Sequence, residues 1–412
     1  MSDYIPFTLQ VEIIKRLPVK PLLQFRSVSK RWKTLIGSPE FIAAYNFDHT
    51  QLNRLLVWYE EHVPLTQTGK KLVSILDDET LNSISAHHEI DPTALGLSKP
   101  FKDLRVVGSS QGLLCLYDFL QDPSCHYSGT LVVVLWNPSI RKSVDVVMPG
   151  VLDMMFEHTV LGFRVCPITS DPTIVKIINI SKNMKQRDGI PFLVEVFTLS
   201  TGDWRGIPSS KLPNKPVEVT SYRVVIDKFI YWFAFDDIDD MFDVGAHKMI
   251  MSFDMTTQEF SLIDLPKSFA HLSSTYVSLS KVRDSLVLLE YNPDSEKQVC
   301  VVWMRSHGVP NLFTKMFTIN TPFESINILG FKKSGGPIME MLNEIWGPAA
   351  LVFLEPYSKE CNCTSIFAKS GSIFVDSYKE TLLLLDKPDS SVYSINKDES
   401  LVALKNVEQT SD

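Results

Sequence analysis

The stretch VVVLWNPSIRKSVDVVMP, residues 132–149, decides the fold of this chain. An apolar run reaches Trp136, a polar turn follows at Asn137-Pro138-Ser139, and a second apolar run closes on Pro149. Turn residues between two β-branched runs are the mark of a hairpin. The phrase returns as VEVFTLSTGDWRGIP ending at Pro208, IMSFDMTTQEFSLIDLP ending at Pro266, VVWMRSHGVPNLFTKMF ending at Phe317 and LVFLEPYSKE ending at Glu360. Anchored on Trp136, Phe197, Phe253, Trp303 and Phe353, successive copies lie 61, 56, 50 and 50 residues apart, so the chain repeats.

A second phrase alternates with the first, a tight turn opening an apolar strand. It stands at Gln111-Gly112-Leu113-Leu114-Cys115-Leu116, Asp227-Lys228-Phe229-Ile230-Tyr231-Trp232, Asp284-Ser285-Leu286-Val287-Leu288 and Ser370-Gly371-Ser372-Ile373-Phe374. Two hairpins per unit make four strands, and four-stranded units of ~40 to 60 residues are the signature of propeller blades. The expected fold class is α+β multidomain, a small N-terminal helical unit before a large all-β domain, a β-propeller of about six or seven blades. The expected boundaries are residues 1–45 for the helices, 46–404 for the β domain and 405–412 for a polar tail. A pair of packed β-sheets is the runner-up architecture, since spacing alone does not separate the two.

Upstream of the repeat the periodicity is helical. Leu9, Ile13 and Leu17 fall at i, i+4 and i+8 with Thr8 as the expected N-cap, and Pro18 stops that helix. Pro21 suits the first position of a second helix containing Leu22, Leu23 and Phe25. Val28, Trp32, Leu35 and Ile36 define a third, ended by Gly37 in an expected left-handed stop, and Ser38-Pro39 caps a fourth carrying Phe41, Ile42 and Tyr45. A unit below ~40 to 50 residues buries too little surface to stand comfortably alone, so it needs a larger body or a partner protein.

Charge is segregated in the same way. Residues 1–45 hold seven Lys and Arg (Lys15, Arg16, Lys20, Arg26, Lys30, Arg31, Lys33) against Asp3, Glu12 and Glu40, a net of +4; the whole chain is −8, leaving −12 for the rest. An acidic body argues against broad binding to nucleic acid or anionic membrane, and a basic helical arm fits an acidic protein partner. No apolar run approaches the ~20 residues needed to span a bilayer, so the expected location is soluble, cytoplasmic or nuclear. Six scattered cysteines suit reduced thiols, and Cys361-Asn362-Cys363 lacks a second ligand pair at zinc spacing.

The N-terminal pattern resembles the F-box closely. Pro6, Glu12-Ile13-Ile14, Arg16-Leu17-Pro18, Leu22-Leu23, Phe25-Arg26, Val28-Ser29-Lys30-Arg31-Trp32, Leu35-Ile36 and Ser38-Pro39-Glu40-Phe41 follow the plant F-box almost position by position. Departures are Phe7-Thr8, where an acidic residue often follows the proline, and Pro21, where Ser is common. The resemblance implies docking on a Skp-like adaptor, and through it on cullin and RING subunits of a ubiquitin ligase. It implies an adaptor face of Pro6, Leu9, Ile13, Leu17, Pro18, Leu22 and Leu23, with Trp32 and Leu35 either contact or internal core.

The β phrases resemble the plant F-box-associated domain. They stand here as Gly112 to Leu116, Trp136-Asn137-Pro138-Ser139, Val196-Phe197-Thr198-Leu199 with Trp204-Arg205, Tyr231-Trp232, Ser252-Phe253-Asp254 through Pro266, Val302-Trp303-Met304 with Gly308-Val309, and Tyr378-Lys379-Glu380-Thr381-Leu382. The likeness implies a non-catalytic receptor that recruits a protein target.

Catalytic chemistry is not legible in the residues: there is no P-loop, no G-x-S-x-G elbow and no H-E-x-x-H. No metal or cofactor is expected. Asp236, Asp237, Asp239 and Asp240 form the richest acidic run but lack the Gly and closing Glu of a calcium loop; they read as a solvated loop able to meet a basic target patch. Irregular segments 121–129, 182–189 and 236–245 are the expected target-facing loops. Two rivals remain: a β-propeller hydrolase or lectin with polar groups converging on a central pocket, and a DNA-binding protein using Lys30, Arg31 and Lys33 on the third helix.

Overall fold

The computed structural model describes residues 5–46, 54–63, 69–78, 88–89, 101, 103–121, 129–149, 159–179, 192–213, 215, 217–236, 247–269, 276–292, 298–306, 312–323, 325–342, 347–355, 361–388 and 391–393. Four helices come first: α1 (Phe7–Ile14), α2 (Val19–Val28), α3 (Lys30–Ile36) and α4 (Pro39–Asn46).

Six antiparallel sheets follow, each a four-stranded blade with one addition. Blade 1 contains β1 (Arg54–Glu60), β2 (Lys71–Asp77) and β3 (His88–Glu89). Blade 2 contains β4 (Arg105–Ser110), β5 (Leu113–Gln121), β6 (Gly129–Asn137) and β7 (Lys142–Val147). Blade 3 is β8 (Thr159–Val165), β9 (Pro172–Asn179), β10 (Phe192–Thr198) and β11 (Trp204–Gly206); blade 4 is β12 (Glu218–Ile226), β13 (Phe229–Phe235), β14 (Lys248–Asp254) and β15 (Glu259–Asp264). Blade 5 is β16 (Val277–Val282), β17 (Ser285–Tyr291), β18 (Val299–Arg305) and β19 (Phe313–Asn320); blade 6 is β20 (Ile326–Phe331), β21 (Pro337–Leu342), β22 (Pro348–Leu354) and β23 (Cys361–Lys369).

The ring closes because β24 (Phe374–Tyr378), late in the chain, supplies the innermost strand of blade 1 by pairing with β1, Tyr378 opposite Arg54 and Phe374 opposite Trp58. The innermost strands β24, β4, β8, β12, β16 and β20 touch one another in that cyclic order, giving a six-bladed β-propeller. A last strand, β25 (Ser391–Tyr393), adds in parallel to the outer edge of blade 2, with Val392 opposite Asp145.

All five sequence anchors sit on the third strand of their blades, Trp136 on β6, Phe197 on β10, Phe253 on β14, Trp303 on β18 and Phe353 on β22. The alternation of the strands places their side chains between neighbouring blades. Trp232, Phe253 and Phe260 fill the space between blades 3 and 4, and Phe233, Ile250, Phe269 and Leu288 fill that between blades 4 and 5. Turns between first and second strands use left-handed backbone, φ 50° at Gln111, 47° at Asp227 and 54° at Arg283, the geometry of tight hairpin turns. Asp tolerates that region because its short side chain bonds locally, so Asp227 can hold the left-handed position without glycine.

One phrase is reassigned. Ser370 to Phe374 does not open the second strand of a blade; it leads into β24, the closing strand. The turn at Ser334 to Pro337 instead opens the second strand of blade 6, where Gly335 takes φ 96°. Among the described residues no helix is long and apolar enough to cross a membrane.

Candidate partner-binding surface

The helices form as a unit because each boundary is fixed by local chemistry, although several boundaries differ from expectation. Helix α1 begins at Phe7 with Pro6 before it, so Thr8 lies inside the helix and caps nothing. Helix α2 begins at Val19 directly after Pro18, which puts Pro21 at its third position; Pro has no N–H to donate there, and the first turn needs none. Val28 ends α2 rather than starting α3. Ser29 is extended between them, φ −154°, and its Oγ accepts from the Trp32 amide at 3.2 Å as the N-cap of α3. Gly37 has φ −86°, so the expected left-handed stop is a right-handed one. The Ser38 cap stands as read, its Oγ accepting from the Phe41 amide at 3.2 Å.

One face of this unit is glued to the propeller. Ile14, Val19, Leu22, Ile36, Phe41, Ile42 and Tyr45 belong to one continuous core with Leu113, Leu135 and the run Leu382, Leu383, Leu384 and Leu385 that follows β24. Polar contacts fix the orientation. Glu380 accepts from the Val19 amide at 2.9 Å, at the start of α2, and from Arg54 Nη1 at 2.9 Å. Its neighbour Lys379 donates to the carbonyl of Asn46, the last residue of α4, at 2.6 Å. Each charge therefore meets the helix end whose dipole it complements, the anion at an N-terminus and the cation at a C-terminus. Burial pushes the Lys379 ammonium below its usual range, a measure of how far from water this contact lies.

Buried Asn46 completes the clasp: its Oδ1 accepts from Thr381 Oγ1 at 2.8 Å and from the Leu382 amide at 3.3 Å. Asn137 of the Trp-Asn-Pro-Ser phrase holds the same segment from below, donating to the Thr381 and Leu383 carbonyls at 3.0 and 2.8 Å. Ser139 Oγ lies 2.7 Å from the Tyr378 hydroxyl. Two phrases far apart in sequence, 244 residues between Asn137 and Thr381, thus form one device.

The opposite face is open. Leu9 and Ile13, one turn apart on α1, are 54% and 53% exposed, and Ile5 before them is 50% exposed. Pro6 and Pro18 are also exposed. Leu17, Leu23, Trp32 and Leu35 are half-buried and pack against the shared core. Leu22 is 0% exposed; it offers no surface to a partner and is a core residue. Phe25 and Val28 at the end of α2 were not assigned to the face from sequence, yet both are exposed. Trp32 joins the two edges of this surface, its ring 5.5 Å from Phe7 and 6.4 Å from Phe25, while the Arg31 guanidinium covers Phe7 at 3.5 Å.

On the β domain, Asp236 directly follows β13 and is already engaged. Its carboxylate pairs with Lys215 at 2.6 Å and accepts from the His247 amide at 2.9 Å. Burial alone would raise its pKa, but Lys215 and the amide outweigh that and hold it low. Asp237, Asp239 and Asp240 lie outside the described residues, as do residues 122–128 and 182–189. Antiparallel order still locates the strand ends that these segments join. In blades 2 to 6 the strand ends joined first-to-second and third-to-fourth lie at one end, the end that in blade 2 meets the clasp through Gly112 and Asn137. The ends Gln121 and Gly129, Asn179 and Phe192, and Phe235 and Lys248 lie at the other.

A helical docking unit fused to a β-propeller is the class this geometry defines. Comparison with known families gives the same two parts: residues 4–43 match the F-box domain and residues 73–340 match the F-box associated beta propeller domain. The chain belongs to the F-box proteins that carry this propeller. It is similar to the F-box protein CPR1 of Arabidopsis thaliana, 23% identical over 96% of this chain and 92% of that protein. It is also similar to the putative F-box protein At4g38870 of the same plant, 27% identical over 70% of this chain and 62% of the relative's length. Among solved structures, the β-propeller domain of the trilobed protease from Pyrococcus furiosus aligns at 10% identity and a TM-score of 0.39, over 69% of this chain and 99% of that domain.

Proposed function

We propose that the chain is the substrate receptor of a Skp-cullin-F-box ubiquitin ligase. Residues 1–45 dock a Skp-like adaptor, residues 46–404 recruit a protein target, and the chain itself makes and breaks no bond. The observation that carries this reading is the two-sided helical unit: one face is committed to the propeller core, and Leu9 and Ile13 remain in water on the other. Exposed apolar residues at i and i+4 are the anchors an interface uses. The adaptor face comprises Ile5, Pro6, Leu9, Ile13 and Pro18, with Leu17, Leu23, Trp32 and Leu35 at its margin, and excludes Leu22.

The target is gripped at the propeller end away from the helices, where the longest connections between strands emerge. Its lysines are thereby held near a ubiquitin-loaded conjugating enzyme, and rate comes from proximity. The protein works in solution in the cytosol or nucleus, without cofactor, metal or nucleic acid. The test is titration of a Skp-type adaptor into the full chain by calorimetry, with the Leu9→Asp, Ile13→Asp variant beside it. Binding in the micromolar range or tighter, weakened at least 100-fold by the variant while its melting temperature is kept, is expected. Two folded proteins that do not associate at those concentrations refute the reading.

A further inference from the structure

Among the described residues, the propeller lumen carries more positive charge than its carboxylates neutralise. Lys281 on β16 reaches Asp376 on β24, Nζ to Oδ1 3.1 Å, although β20 stands between those two strands in the ring. Arg223 on β12 spans β8 in the same manner: its Nη2 donates to the Val106 carbonyl on β4 at 3.1 Å, and its Nη1 donates to the Ser221 carbonyl at 3.0 Å. Such reaches are possible only through the lumen. Arg164 lies on β8 itself, and its Nε is buried with no hydrogen-bond partner among the described residues.

The carboxylates do not balance these groups. Asp376 is engaged by Lys281 and by Ser109 Oγ at 2.9 Å. Asp227, on the exposed turn after β12, and Asp376 are the carboxylates whose fields reach Arg164, but among the described residues neither forms an ion pair with it. Among the described residues Arg223 donates only to carbonyls. Burial pushes both guanidinium groups below their usual range, as it does for a cation short of a counter-charge. Both side chains are half-buried, and the planar fork of a guanidinium fits an oxyanion with two parallel hydrogen bonds.

There is also room. Gly108 on β4 and Gly330 on β20 each sit at a register shift of an innermost strand, and a Cβ at either would meet nothing within 4 Å. Arg223 passes in front of β8, the strand that bears Arg164, so the two guanidinium groups share one side of the lumen.

We infer that the lumen is a binding site for a small free oxyanion of the phosphate type, held by Arg164 and Arg223 with Lys281 beside them. Ligand that binds only the folded chain stabilises it in proportion to the logarithm of its concentration over Kd. The experiment uses the full chain, with inorganic phosphate and then sulfate exchanged against chloride at constant ionic strength, and reads melting temperature and heat of binding. A saturable rise in melting temperature is expected, with Kd weakened at least tenfold in Arg164→Gln and in Arg223→Gln. Asp376→Asn removes a competing negative charge and is expected to tighten binding several-fold. It also decides the matter where a glutamine variant does not fold: tighter binding supports the site, and unchanged or weaker binding overturns it. A response no larger than that to chloride, or an affinity unaltered in both glutamine variants, overturns it as well.

Discussion

Removing the Glu380 side chain is expected to loosen the F-box from the propeller without unfolding either. The carboxylate makes two charge-assisted hydrogen bonds, to the Val19 amide and to Arg54 Nη1, each at 2.9 Å. Both ionic side chains are about a quarter exposed, 25% for Glu380 and 21% for Arg54, so screening trims the interaction and does not erase it. Hydrogen bonds to charged groups contribute roughly 1.5–3 kcal/mol when unscreened, and an anion at a helix start adds ~0.3–1 kcal/mol. Discounted for partial exposure, Glu380→Ala should weaken F-box docking by about 2–3 kcal/mol. At 1.36 kcal/mol per decade that is about 30- to 150-fold in the docking equilibrium. Hydrogen exchange followed by mass spectrometry reads it directly: amides of α2 and α4 lose that factor of protection while those of β12 to β19 are unchanged. Glu380→Gln, which keeps one acceptor oxygen, should fall between. A loss below about threefold in the F-box amides, or an equal loss throughout the propeller, would refute the clasp.

Two other perturbations probe the same architecture. Gly112 has φ 82°, and a Cβ there would lie 2.3 Å from the Lys379 carbonyl oxygen; Gly112→Ala should therefore cost about 2 kcal/mol or more and, unlike an ordinary turn substitution, should also expose the F-box amides. Equal melting temperatures for Gly112→Ala and the parent would contradict it. Acid should open blade 1 at its outer side. Burial alone would raise the Glu60 carboxyl, but hydrogen bonds from Lys71 and Lys369 outweigh it and hold the pKa below the usual range. A depressed folded pKa gives stability that is present above the unfolded value near 4.3 and is lost as pH falls through the folded value. Chemical denaturation of Glu60→Gln should accordingly show a flatter decline than the parent between about pH 5 and 3, and parallel curves would remove Glu60 from the account.

How much of this was legible from residues depends on whether the signal was local. Hairpins are local: Trp136-Asn137-Pro138-Ser139 and Asp254 to Gln258 announce their turns, and five third strands of the ring were readable from them. Blade 1 was not readable as a blade, because its innermost strand comes from Phe374–Tyr378 while its other strands begin at Arg54, and no period links them. That non-local closure is also why the Ser370-Gly371 turn was read as a blade's opening hairpin.

Amphipathic stripes were legible on the helices, but their direction was not. Leu22 and Leu23 are equivalent to a periodicity argument, yet Leu22 is fully buried against the propeller core and Leu23 is only half-covered. The distinction depends on Leu382 to Leu385, which lie about as far downstream as Glu380 does from Val19, a separation of 361 residues. Asp236 shows the same limit for charge: an acidic run looks free in sequence, whereas Lys215 already occupies its first member.

The clasp bears on mechanism through geometry. If the helices hung from a flexible linker, a bound target would sample a wide volume and the effective concentration of its lysines would fall with that volume. Here Lys379, Glu380 and Thr381 tether the helices to the propeller, meeting the start of α2 at Val19 and the end of α4 at Asn46. Helices and open strand ends are thereby held at opposite ends of one propeller, with blade length as the spacer. Under the proposed receptor function, a target seated on the far end would present one set of lysines rather than all of them, so the sites modified would depend on how the last strand and its leucines return to the first helices.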